Sequence, residues 1–222
     1  STEINPWLGT WEPLGSYFDI GDPSQAGYPA VADSVQSLDT SGFGPVKNRM
    51  AVPEQELVVA GNFYGQNQVS IKGEPVANRD NNQVSRPMAF NWNGSSWTVQ
   101  VLGASQQGSV LSRWSGATLN YGGNGMDDGR FLVAVKVTGP TNGMWHYEYA
   151  VQNVDNDRGG ASFRIPVCDN ARVENIGFRD IDQNPLNEWT TTRQGGELQY
   201  LASANNPLDW NTFYNFYFDS DA

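Results

Sequence analysis

The stretch FLVAVKVTGPTNGMWHYEYAVQNVDNDRGGASFRIPVCDNARVENIGF, Phe131 to Phe178, decides the fold. Phe131, Val133, Val135 and Val137 alternate with Leu132, Ala134 and Lys136. After a Thr141-Asn142-Gly143 turn, Trp145, Tyr147, Tyr149 and Val151 alternate with His146, Glu148 and Gln152. A period of two sends successive side chains to opposite faces of a strand. The face of Trp145, Tyr147 and Tyr149 therefore reads as core, together with Phe163 and Phe178, and the face of His146, Glu148 and Gln152 as the wetter one.

The pattern continues outward in both directions. Toward the N-terminus, ELVVAGNFY (56–64), PMAFNW (87–92) and SWTVQVLG (96–103) read as strands, the last two joined across Asn93-Gly94 as a type I′ hairpin. Asn93-Gly94-Ser95 is also a formal glycosylation sequon, although the turn gives Asn-Gly its own reason to be there. Toward the C-terminus follow ASFRIPV (161–167), ARVENIGF (171–178), EWTTTR (188–193), GELQYLAS (196–203) and TFYNFYF (212–218). Short strands at regular spacing, with turn residues and no helical pattern between them, predict an all-β antiparallel sandwich, immunoglobulin-like in its C-terminal half. Residues 1–55 lack either period and read as a long irregular segment pinned by aromatics such as Trp7, Trp11, Tyr17 and Phe43, with one short helix between Ser24 and Leu38. The organisation expected is thus an irregular segment over 1–55 and a sandwich domain over 56–222.

Eight Trp, nine Tyr and ten Phe give a chain of 222 residues enough large apolar side chains for one core. With 24 acidic and 13 basic side chains the net charge is -11, so a nucleic acid would be repelled and is excluded as a partner. No apolar run approaches the ~20 residues of a membrane span. The chain reads as a mature form after leader removal or a fragment of a longer precursor. One cysteine, Cys168, rules out an intrachain disulfide and reads as a small buried apolar residue.

Chemistry-bearing residues are sparse. His146 is the lone histidine, placed mid-strand, which removes most nucleophilic, zinc and copper arrangements. Oxygen-rich turns leave calcium as the one cofactor to consider, with Asp155, Asp157, Asp180 and Asp182 as ligand candidates. The competing reading makes the same corner structural, with Arg158 pairing one of these aspartates. Carboxylate pairs such as Glu148 with Glu174, or Asp180 with Glu188, keep glycoside hydrolysis open. Trp92, Trp97, Trp114 and Tyr121 are the aromatics that would offer flat rings to a sugar or a protein partner.

The segments DGRFLVAVKV (128–137), WHYEYAVQNVDNDRGGASFRIPV (145–167), VENIGFRDID (173–182) and FYNFYFDSD (213–221) resemble the C-terminal region of a group of large, secreted, mostly uncharacterised β-rich bacterial proteins of the planctomycete type. The resemblance implies a bacterial module that is secreted or held at the cell surface, and carries no activity with it. Those proteins often have histidines beside the aspartates of the segment matching GFRDIDQN. Arg179 and Gln183 stand there in this chain, which speaks against a transition-metal site.

Three functions follow in order. The first is a non-catalytic structural or adhesive subunit of an extracellular assembly, with other protein subunits, identical or different, as partners. The alternative is carbohydrate binding through exposed Trp and Tyr, with a structural calcium. The third is a polysaccharide-active enzyme using a carboxylate pair.

Overall fold

The computed structural model describes residues 4–11, 52–123, 125–182 and 184–222. The helix expected between Ser24 and Leu38 and most of the irregular N-terminal segment lie outside the described residues. The strands are β1 (Ile4–Asn5), β2 (Thr10–Trp11), β3 (Phe63–Gln68), β4 (Gln83–Trp92), β5 (Trp97–Val101), β6 (Gln106–Gln107), β7 (Thr118–Gly122), β8 (Phe131–Thr141), β9 (Met144–Asn153), β10 (Ser162–Pro166), β11 (Val173–Arg179), β12 (Thr190–Gln194), β13 (Glu197–Leu201) and β14 (Phe213–Ser220). All pairings are antiparallel, and the chain is an all-β antiparallel sandwich.

A five-stranded sheet in the order β11-β14-β9-β8-β7 faces a three-stranded sheet in the order β10-β13-β12. Ring contacts fix which strand lies over which. Trp189, next to β12, stacks on Phe178 of β11 at 5.5 Å, Tyr200 of β13 meets Phe216 of β14 at 4.9 Å, and Phe163 of β10 meets Tyr149 of β9 at 5.4 Å. β8 and β7 therefore run beyond the edge of the smaller sheet. The core between the sheets is aromatic, with Trp189, Tyr200, Tyr214, Phe216 and Phe218 all buried. Offset and edge-on ring pairs of this kind add to simple area burial.

The second face of the five-stranded sheet is also covered. Leu132, Ala134 and Ala150 pack there with Leu111, which a short 3₁₀ turn, Val110–Arg113, lays across the sheet. A four-stranded sheet of β3, β4, β5 and β6 adjoins this side. It is tied on by Arg113, whose Nε and Nη2 donate to the Ser85 hydroxyl (2.8 Å) and carbonyl (2.9 Å), and by the Ser109 hydroxyl donating to Gln152 Oε1.

Several local expectations are corrected. Trp145 is 38% exposed, because it sits at the end of β9 opposite Ser220, at the rim of the core. Gln152, on the face read as wetter, is fully buried because Ser109 satisfies its oxygen. Residues Glu54–Leu57 form a helical turn and Val58 and Val59 are exposed, so ELVVAGNFY enters a strand only at Phe63. Pro53 precedes that turn and Glu54 and Glu56 lie in it, placements that suit a helix start. The Asn93-Gly94 hairpin is a four-residue loop, not a type I′ turn: Asn93 Oδ1 accepts from the Ser95 and Ser96 N–H groups. Two-residue turns with positive φ at both positions occur instead at Asn142-Gly143 (53° and 79°) and at Gly195-Gly196 (62° and 76°). Cys168 is exposed, in the loop after β10.

Candidate ligand-binding cleft

Asp155 is where the corner of the fold is fastened. Its carboxylate is buried and accepts the Arg130 main-chain N–H (2.7 Å) and the Arg130 Nη2 (2.9 Å) and Nε (3.1 Å), with Arg79 Nη1 at 3.6 Å. Arg130 also donates to Asp80 at 2.9 Å and lies over the Tyr121 ring, while Arg79 lies over Trp7. Burial alone would lower the Arg130 pKa, but hydrogen bonding and attraction to Asp155 hold it above its ordinary value. Burial, then the hydrogen bond to Asp80 and its charge, push Tyr121 up to about 12. The space left beside Arg79, Arg130 and Asp155 is about 10 Å³, room for a water at most. This clasp is filled by the protein's own side chains.

The other predicted site residues do not converge on Asp155. Arg158 pairs with Asp128 and is largely exposed, Asp157 accepts from Asn5 at 3.3 Å, Asp180 accepts from Asn206 at 2.6 Å, and Asp182 accepts from Asn187 at 3.2 Å. Among the described residues no three His, Cys, Asp or Glu side chains come together as a metal cage. Of the carboxylate pairs, Glu174 is held by Arg172 at 3.3 Å on β11, with β14 between it and Glu148 on β9. Burial and then the charges of Asp180 and Asp182 raise the Glu188 pKa, in an exposed loop rather than a cleft. His146 Nδ1 lies 2.7 Å from Asp219, whose pKa is lowered by its hydrogen bonds from Asn175 and then from His146.

The four aromatic candidates occupy three places. Trp92 and Trp97 face each other at the tip of the β4–β5 hairpin, tilted by 53°, and the Trp97 indole N–H donates to Glu54 at 2.8 Å. Two rings at that angle make no flat platform. Tyr121 belongs to the clasp. Trp114 lines a cleft of about 480 Å³ on the second face of the five-stranded sheet.

That cleft has the composition of a binding site. Tyr64 from β3 and Phe213 from β14 supply exposed rings and Trp114 a partly buried one, and the Arg113 guanidinium steadies Tyr64 at 5.3 Å from its ring centre. Lys136 on β8 and Glu148 on β9 are cross-strand partners on its wall, with Asn62 and Asn215 beside them. The side chains of Lys136, Glu148 and Asn62 and the Tyr64 hydroxyl make no hydrogen bond or ion pair among the described residues. An amide, an ammonium, a carboxylate and a phenol are thus uncommitted in one concavity. Sequence reading singles out only Trp114 here and, as half of a carboxylate pair, Glu148. The overlooked signal is Lys136, a charge on the even face of FLVAVKV, in phase with Glu148 across the turn.

No family model, curated protein or solved structure matches the chain. Among the described residues no helix is long and apolar enough to cross a membrane.

Proposed function

We propose that the protein is a non-catalytic adhesive module, secreted or carried at a bacterial cell surface, that grips a neutral polyhydroxylated ligand such as a glycan chain in the cleft between Tyr64, Trp114 and Phe213. The observation that carries this reading is the coincidence in that cleft of three rings, Tyr64 and Phe213 exposed and Trp114 partly buried, with four polar groups that have no side-chain partner among the described residues. A saccharide presents weakly positive C–H faces that suit the negative face of an aromatic ring, and hydroxyls that both donate and accept. Lys136 donates, Glu148 accepts and Asn62 does both, while the opposite charges of Lys136 and Glu148 leave the cleft close to neutral. At about 480 Å³ the cleft falls within the range of small-ligand sites and suits two or three sugar rings. Adhesion by an acidic module is consistent with a net charge of -11, which keeps it soluble and away from anionic polymers.

The test is retention on immobilised polysaccharides and a glycan array, with Trp114→Ala beside the wild type. Losing one stacking ring and its buried area should weaken binding by about 1–3 kcal/mol, near the limit of detection for a weak module. Trp92→Ala, at the hairpin tip, should leave retention unchanged. Binding that follows Trp92 instead, or no retention on any glycan, removes the reading.

A further inference from the structure

The three-stranded sheet stops two strands short of its partner. β12, β13 and β10 lie over β11, β14 and β9, and the next position, above β8, is open. A cleft of about 820 Å³ lies there, with Phe131, Val133 and Phe216 as its floor and Phe163 on its wall. It is on the face of the five-stranded sheet opposite to Trp114 and is independent of the glycan cleft.

The wall of this slot is an unpaired strand edge. The Ala202 N–H donates to Ala161 and the Val167 N–H to Gly196, so the odd-numbered residues of β10 turn their main-chain groups toward β13. By alternation, those of Ser162 and Arg164 turn outward. Gly160 exchanges both bonds with Leu208 (3.0 and 2.8 Å), so that the segment at Leu208 covers the edge at one point and then leaves it. Beyond it no strand pairs with Ser162 and Arg164 among the described residues. Arg158 and Arg164 stand at the mouth of the slot. Arg158 is shared with Asp128, while Arg164 makes no hydrogen bond or ion pair among the described residues. On a chain of net charge -11, the Arg164 guanidinium, with no ion pair among the described residues, is a local reversal of sign beside an apolar trough.

We propose that this slot takes an extended peptide strand from a partner protein, adding to β10 as the fourth strand of the smaller sheet. The strand carries apolar residues at alternate positions, which descend onto the partly buried Phe131 and Val133, and a carboxylate that meets Arg164. Ladder hydrogen bonds hold the backbone, and the alternation of side chains provides the selectivity.

A phage-displayed library of linear random peptides, selected on the whole protein, tests this. The expected winners alternate apolar residues and carry Asp or Glu beside the run. Their affinity should fall about tenfold or more with Arg164→Glu, and a peptide with that acid changed to Lys should regain binding to the variant. Ser162→Pro removes only an outward-facing N–H on an edge strand, where proline is tolerated, and should weaken the same peptides by a similar factor with an unchanged thermal midpoint. Winners without alternation, winners indifferent to both substitutions, or failure of the library to yield binders would each overturn the proposal. Competition between a winner and a second copy of the chain also decides against it if self-association alone occupies the slot.

Discussion

Arg130 and Arg158 look alike in the sequence, each a basic residue beside an Asp and a Gly, yet their surroundings differ sharply. Arg130 closes on the buried Asp155 with three of its N–H groups, whereas Arg158 reaches Asp128 from a side chain that is 57% exposed. Removing the Arg130 side chain would leave a carboxylate of 5% exposure with only the main-chain N–H of residue 130 and Arg79 at 3.6 Å, so Arg130→Ala should cost about 3 kcal/mol. Arg158→Ala should stay within about 1 kcal/mol, since solvent screens an exposed pair. Urea midpoints of the two variants check this, and equal shifts would place the clasp elsewhere. Sequence reading lets Arg158 pair with any one of Asp155, Asp157, Asp180 and Asp182, and does not single out a partner for Asp155. The partner that wins comes from β8, which pairs with β9 and so delivers Arg130 to the far end of the hairpin beside Asp155.

Strands were the most legible elements, and their limits follow from what periodicity cannot see. Alternation identifies β8, β9, β10 and β14 because each has one face against an aromatic core. It misreads ELVVAGNFY, where the apolar run is exposed and local chemistry starts a helical turn. Strand order is not a property of any one strand, so the overhang of β8 and β7, and with it the slot beside β10, leaves no mark in the sequence. The glycan cleft is half legible: Trp114 stands out by type, while Tyr64, Lys136, Glu148 and Phe213 come together only through the packing of β3 against the turn before Trp114. The elbow before β8 is a further case, where Gly129 has φ of +133° and an added Cβ would lie 2.2 Å from Asn156 Cα. Gly143, also at positive φ, has nothing within 4 Å of such an atom. Gly143→Ala should therefore cost about 1 kcal/mol for its backbone alone, while Gly129→Ala should cost more than twice that, because the β9–β10 corner must move as well. Thermal unfolding of both variants checks the ordering, and a Gly129→Ala protein as stable as Gly143→Ala would refute the close approach.

Across the whole molecule burial is uneven, and local stability should follow it. β14 buries Tyr214, Phe216, Phe218 and Ser220 in alternation and lies centrally in its sheet, while β5 leaves Thr98 to Val101 exposed at the rim. β4 spans the gradient: Gln83 and Ser85 are buried against the sandwich, and Asn91 and Trp92 reach into solvent. Amides of β9, β13 and β14 should exchange only through global unfolding, those of β5 through local opening, and protection should fall along β4 from Ser85 toward Trp92. Arg113 is the tie that sets this boundary, since its guanidinium satisfies both the hydroxyl and the carbonyl of a fully buried Ser85. Arg113→Ala leaves the buried hydroxyl without its donor and the carbonyl with its β4–β6 ladder bond alone, at a cost of about 1–3 kcal/mol. Each 1.4 kcal/mol is about a tenfold change in an opening equilibrium, so β4 and β5 amides should exchange about tenfold faster or more in the variant. Those of β9 and β14 should keep their wild-type rates unless global stability falls equally. Uniform acceleration across both sheets would show that the four-stranded sheet and the sandwich open as one unit, and that Arg113 is one contact among many.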